Sequence, residues 1–191
     1  MATALLTAPT TQATPHLVTA EEFVDKYSHD YAELIDGVLK ERGMPSLRHG
    51  QVCLKAGRLI GNFVEDRQLG HTMSNDSHIL IRKNPDTVRG PDLSYYSFQR
   101  LPPGPAPEGL SDVVPELVVE IRSPSNTWMA IFSKVGDYLQ AGVTAILVLD
   151  PDGVTASVYR GTGQVILHAG DTLTLPDVLP GFAVPVAKFF E

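Results

Sequence analysis

The chain predicts an α/β or α+β domain whose sheet contains at least one helix crossover, and three observations carry that prediction. Residues Glu116–Arg122, 127–141 and Ala145–Leu149 read as strand, helix and strand, a β-α-β unit whose two strands should run parallel. A longer helical pattern runs from Leu47 to about Gln68. Around both lie short alternating or apolar runs bounded by turn residues, the mark of strands.

Taken in order, Thr19-Ala20-Glu21-Glu22-Phe23 opens a short helix. Thr19 is its N-cap, and the acids in its first turn are favoured by the helix dipole. It should end near His29. Tyr31–Ile35 and Val38–Arg42 read as strands around Asp36-Gly37, a dipeptide whose tolerance of positive φ suits a tight hairpin. Val52, Leu59, Ile60, Phe63 and Val64 recur at helical intervals and give the long helix one buried face. His71–Ile81 and Asp92–Ser97 read as strands joined through Lys83-Asn84-Pro85-Asp86. Leu101–Pro107, with four prolines and a glycine, must be a loop, and its weak packing predicts mobility. Ser123–Thr127 caps a second helix, in which Trp128, Ile131, Phe132, Val135, Tyr138 and Leu139 take core intervals up to Gly142. After the apolar strand Ala145–Leu149, Asp150-Pro151-Asp152-Gly153 turns the chain into Val154–Tyr159, and another strand follows near Val165–His168. The end, Leu179 to Phe190, reads as a loop and a short docking segment.

With 191 residues, 43% hydrophobic and 19% charged, the chain fits one globular domain, expected over 18–191 behind a flexible arm at 1–17. The arm lacks the basic start and long apolar core of a signal peptide. No run approaches the roughly 20 apolar residues that span a bilayer. The single Cys53 excludes an internal disulfide. A cytoplasmic protein without membrane association is expected. Cys53, in the long helical pattern and read without a nearby His, is expected to be a small buried apolar residue and not a nucleophile. The net charge of −7 opposes nucleic-acid binding overall. Its distribution is uneven: residues 38–70 carry six basic against three acidic groups, which leaves room for a basic face or for an ordinary mixed surface.

Chemistry concentrates at two places, Gly90-Pro91-Asp92-Leu93 and, 28 residues after Asp92, Glu120 within Glu116–Ser123. Each sets a carboxylate in or beside a run that reads as a buried strand, and a carboxylate taken out of water is costly unless paired or bound to a metal. Alternation puts Leu117, Val119 and Ile121 on a core face and Val118, Glu120 and Arg122 on the other, chemical, face. If Asp92 terminates an adjacent strand, Asp92 and Glu120 converge on a hard divalent cation with water and a phosphate oxygen in its shell. The competing reading makes Asp92 a turn residue and Glu120 an edge residue paired with Arg122.

Pro91-Asp92 followed by Glu120-Ile121-Arg122 resembles the PD-(D/E)xK nuclease motif. Together with Tyr31–Gly37, Ser46-Leu47-Arg48-His49, Val118–Ser125, Lys134, Tyr138, Ala141-Gly142-Val143, Asp150-Pro151 and Leu179-Pro180-Gly181-Phe182, the chain is similar to a bacterial family of restriction-endonuclease-like proteins. The resemblance implies a restriction-endonuclease-like core, with a mixed central sheet flanked by helices, and metal-dependent phosphodiester hydrolysis. It implies Asp92 and Glu120 as ligands of Mg²⁺ or Mn²⁺, Glu33 as an additional acid, nucleic acid (DNA) as substrate and, by analogy, a homodimer. The chain departs from the motif at Arg122, where Lys is common. Arg stays protonated and cannot act as a base, though it can hold a phosphate. Lys134 in the following helix is the substitute amine that the resemblance suggests, against a surface ion pair with Asp137.

Arg48 and His49 begin the long helix, where they face a phosphate or solvent. His71, His78 and His168 lack metal-binding spacing. Trp128 and Tyr138 are expected to pack, and of Tyr95 and Tyr96, one can stack on a base while the other faces the core. The main expectation is a metal-dependent DNA endonuclease using Asp92, Glu120, Glu33, Lys134 and Arg122. The alternative is a catalytically inactive binding or regulatory module on the same fold. Nothing in the motifs supports a small-molecule hydrolase.

Overall fold

The computed structural model describes residues 16–123, 126–161 and 163–191. Residues 1–15 of the expected arm, and Pro124 and Ser125 of the motif stretch, lie outside the described residues. The described residues form an α+β fold with three α-helices: α1 (Ala20–Tyr27), α2 (Leu47–Asp66) and α3 (Trp128–Ala141). Each begins where a hydroxyl caps a free amide: Thr19 accepts from Glu22, Ser46 from His49 and Thr127 from Ala130. Gly142 ends α3 in the left-handed region at φ 93°.

Strands β3 (Gly70–Ser74), β6 (Leu93–Ser97), β7 (Leu117–Ile121), β8 (Ala145–Asp150), β9 (Thr155–Arg160) and β10 (Gly163–His168) form a six-stranded sheet in the order β10-β9-β8-β7-β6-β3. β7 and β8 are parallel, as the β-α-β unit requires, and the remaining pairs are antiparallel, so the sheet is mixed. A second, antiparallel sheet has the order β2-β1-β5-β4, from β1 (Ala32–Ile35), β2 (Val38–Glu41), β4 (Ile79–Arg82) and β5 (Thr87–Arg89). Asp36 and Gly37, at φ 51° and 73°, make the β1–β2 hairpin turn.

Both faces of the large sheet are covered. On one, Val52, Ala56, Ile60 and Val64 of α2 pack with Leu93, Leu117, Val119, Ile121 and Leu147. On the other, Ile131, Val135 and Tyr138 of α3 pack with Val118, Ile146 and Val148. The face of β7 read as chemical is buried like the core face: all five residues are buried, and Glu120 meets Lys134 and Tyr138 of α3. Helix α1 closes the small sheet through Ala20 and Phe23 on Leu34, Leu80 and Val88.

Other expectations are also revised. The run His71–Ile81 is two strands in different sheets, because Asn75 and Asp76 adopt φ of 63° and 55° and turn the chain between them. β5 was not expected at all. Its three residues are too few for any periodicity to register. The C-terminal loop is instead a hairpin of β11 (Thr172–Leu175) and β12 (Leu179–Pro185) followed by a 3₁₀ turn, Val186–Phe189. Leu173, Leu175, Phe182 and Phe189 thereby join the α2 core. Trp128 is not a core residue: it is exposed and stacks on Phe132. Tyr95 and Tyr96 are both buried, which removes them as base-stacking platforms. Among the described residues, no helix is long and apolar enough to cross a membrane.

Candidate active site

The two sheets meet at the three-residue passage Gly90-Pro91-Asp92, which carries the chain from β5 of the small sheet into β6 of the large one. The corner is tight. A Cβ on Gly90 would lie 2.8 Å from the carbonyl oxygen of Asp76, so glycine is required by space alone. The Gly90 amide donates to Glu33 (3.3 Å), and its carbonyl accepts from Arg42 (3.3 Å). The turn is thus fastened to the acid on β1.

Three buried carboxylates converge around this corner: Glu33 from β1, Asp92 at the head of β6 and Glu120 in β7. Leu93 lies opposite Val119 in the β6–β7 ladder, which brings Asp92 to the Glu120 end of β7, and the Ile121 amide donates to Asp92 Oδ2 at 2.6 Å. Helix α3 supplies the compensating amine. Lys134 Nζ lies 3.2 and 3.0 Å from the two oxygens of Glu120 and 3.2 Å from Glu33 Oε1. One turn along, the Tyr138 hydroxyl donates to Glu120 Oε1 at 2.8 Å. The expected alternative partner of Lys134, Asp137, instead pairs with Arg89 and Arg82 of the small sheet, while Lys134 turns to Glu120 and Glu33.

Burial opposes ionisation of Glu33, but the charges of Lys134, Arg89 and Arg42 outweigh it and hold the carboxyl at about 2. Arg89 makes a 2.7 Å bond to it. For Glu120, burial dominates over Lys134, and the charges of Asp92 and Glu33 add to it, raising its pKa to about 7. Burial also opposes the Lys134 ammonium, yet Glu120 and Glu33 raise its pKa, so it remains charged. Two neighbouring acids are thus driven in opposite directions, a pattern that functional sites display.

Of the residues anticipated from sequence, the structure brings Glu33, Asp92, Glu120 and Lys134 together. Arg122 is directed elsewhere: its guanidinium binds Asp150 (2.9 Å) and Asp152 (3.0 Å) and lies over Trp128. Arg48 contacts Gln51 on the exposed side of α2. His49, one residue on, reaches Asp92 with Nε2 at 3.3 Å, and Cys53 Sγ stands 3.4 Å from its Nδ1. The reading of Cys53 as lacking a nearby His is corrected. The two are four residues apart on one helix, a spacing that places side chains on the same face.

Arg89, Arg42 and Tyr138 belong to the constellation without having been anticipated as site residues. Tyr138 had a signal, its i+4 spacing from Lys134. Arg89 and Arg42 had none, since their roles depend on the small sheet being docked against β7.

Two depressions reach the site. A groove of about 1670 Å³ runs along α2 and β3 and has Asp92, His49 and Cys53 in its wall. A smaller cleft of about 330 Å³ is lined by Glu33, Arg42, Arg89 and Lys134. Tyr31, Pro45 and His49 line both, so the two abut at the acids.

A crystal structure of a putative nuclease belonging to DUF820 from Anabaena variabilis ATCC 29413 superposes with a TM-score of 0.79, at 18% identity, over 91% of this chain and 97% of that one. The two share a fold. No curated protein matches the chain. Residues 20–187 match the Uma2 family, described as putative restriction endonuclease, and the chain belongs to that family.

Proposed function

We propose that the chain is a divalent-metal-dependent endonuclease that hydrolyses DNA phosphodiester bonds, with Asp92 and Glu120 as ligands of Mg²⁺ or Mn²⁺, Glu33 as the assisting acid and Lys134 as the phosphate-stabilising cation. The observation that carries the reading is the pairing of two buried carboxylates, Glu33 and Glu120, with one buried amine, beside the buried Asp92 at the same end of β7, with Glu120 raised to about 7. Burial and the charges of Asp92 and Glu33 outweigh the one amine on Glu120, and hard carboxylate donors suit a hard cation, so the residues fit the ion.

When bound, the ion would polarise the phosphate and lower the pKa of a water. Lys134, held as ammonium by Glu120 and Glu33, supplies fixed positive charge for the oxyanion. The Ile121 amide and His49 fix the Asp92 carboxylate through Oδ2. Arg89 and the Gly90 amide fix Glu33. Arg122 is tied to Asp150 and Asp152, and its expected part in holding the phosphate passes to Lys134. The groove beside α2, a helix about 30 Å long by its 20 residues, offers a path for nucleic acid, with Arg58 in its wall. Placement in the cytoplasm and action as a homodimer, which would set two sites on two strands, complete the proposal.

A second reading, a nuclease-fold binding or regulatory module without turnover, draws on one observation. Both Glu120 oxygens are already engaged by Lys134. Incubation with supercoiled plasmid and Mg²⁺, Mn²⁺ or chelator separates the two. The nuclease nicks only with metal, whereas folded protein that nicks under no metal is the module.

A further inference from the structure

The wall of the α2 groove holds a second set of donors, chemically unlike the carboxylates. His49 and Cys53 project from one face of α2, and Asp92 meets them from the head of β6. One donor atom from each lies within 4.8 Å of the others. Sγ and Nδ1 stand at 3.4 Å, and tetrahedral bonds of about 2.0–2.3 Å to zinc set neighbouring ligand atoms about 3.3–3.7 Å apart. The His–Cys pair is thus already at chelating separation, and Asp92, which now meets His49 at Nε2 (3.3 Å), is the third donor of the cluster. The His49 side chain is only 12% exposed and that of Asp92 5%. All three residues line the groove.

We propose that His49, Cys53 and Asp92 form a binding site for a borderline, thiophilic divalent cation of the Zn²⁺ or Co²⁺ class, with its fourth position open to the groove. Thiolate and imidazole select such ions over Mg²⁺, which demands an oxygen shell. On binding, the sulfur–metal bond forms as the thiol proton leaves to the buffer, and His49 coordinates as neutral imidazole, giving up its second proton wherever it carries one, so uptake releases protons. Asp92 is shared with the carboxylate set, and an ion held here engages the same side chain that Glu120 faces. The site does not rest on nuclease activity, and its test requires none.

Cys53 is the single cysteine of the chain, so a thiolate signal has one source. Titrating tag-free protein with Co²⁺ should produce a near-ultraviolet sulfur-to-cobalt charge-transfer band that saturates at one equivalent. Zn²⁺ should then bleach it. Affinity for Zn²⁺, measured against a chromophoric chelator, should fall at least about 100-fold in Cys53→Ser and in His49→Gln, the upper end of what even an outer-shell loss costs. Glu120→Gln should leave it within a few-fold. Absence of the band in wild-type protein would overturn the proposal, as would Zn²⁺ affinity that survives Cys53→Ser and drops in Glu120→Gln. The wild-type spectrum decides the matter even if a variant fails to fold.

Discussion

Lys134 Nζ contacts both carboxylate oxygens of Glu120, at 3.2 and 3.0 Å, although the two residues lie on different elements, α3 and β7, and both are buried. The amine occupies the face of β7 that a motif lysine two residues after the acid would occupy. Arg122, which stands at that motif position, turns to Asp150 and Asp152. A helix residue can substitute because α3 packs directly on Val118 and Val148, placing its buried stripe over Glu120.

Lys134→Met leaves Glu120 and Glu33 buried without their shared cation. Removing one partner of a buried pair costs about 3–5 kcal/mol. Protonation of Glu120 relieves part of that cost, so the loss should be larger at about pH 8 than at about pH 5. Urea unfolding of variant and wild type at the two pH values measures it. An equal loss at both would show that Glu120 is not the group left uncompensated.

Glu33 has its pKa lowered from 4.5 to about 2. A depressed carboxyl stabilises the fold above its unfolded value, and that stability is lost as pH falls through the folded value. The interval corresponds to about 3 kcal/mol at 1.36 kcal/mol per unit. The difference in unfolding free energy between wild type and Glu33→Gln should therefore shrink as pH drops from 4.5 towards 2. A difference independent of pH across that window would remove the ion pairs as its cause.

Tyr138→Phe deletes the hydroxyl that donates to Glu120. A hydrogen bond to a charged group is worth about 1.5–3 kcal/mol, and its loss disfavours the ionised form. Thermal or urea unfolding should register that loss, and the acid limb of the cleavage profile should move to higher pH. An unmoved limb with an unchanged midpoint would show that the bond is energetically idle.

Gly90→Ala places a Cβ 2.8 Å from Asp76 O, where backbone must yield. Overpacking of this kind costs about 1–3 kcal/mol, and here it displaces the turn that carries Asp92. We expect a lower unfolding midpoint together with weakened Mn²⁺ binding by calorimetry. Normal values of both would place slack at this corner.

What the sequence made legible follows periodicity and turn chemistry. The hairpin at Asp36-Gly37, the caps Thr19 and Gly142 and the 127–141 crossover all announce themselves within a few neighbouring residues. Glu120 stands out as a charge in an otherwise apolar strand, and Asp92 as one beside a strand. What stayed hidden depends on contacts between segments distant in the chain. β5 is three residues long and reads as a continuation of a turn. Arg89 acquires its role only from Glu33 across the small sheet and Asp137 on α3. The cover of α3 over the chemical face of β7 stayed hidden because alternation alone does not say that a second helix lies on it. His49 and Cys53 were within reach, since their i, i+4 spacing is local, but only Asp92, far along the chain, turns the pair into a cluster.

Asp92 belongs both to the proposed carboxylate site and to the wall of the groove. Asn at this position retains an oxygen for the Ile121 amide and removes the charge. The decisive measurement is the rate of Mn²⁺- and Mg²⁺-dependent nicking of supercoiled plasmid by wild type and Asp92→Asn, purified identically and matched for thermal midpoint. We predict nicking by the wild type and a loss of at least about 100-fold in the variant, about 3 kcal/mol of transition-state stabilisation. A variant that stays folded and nicks at the wild-type rate would contradict the assignment of Asp92 to the site.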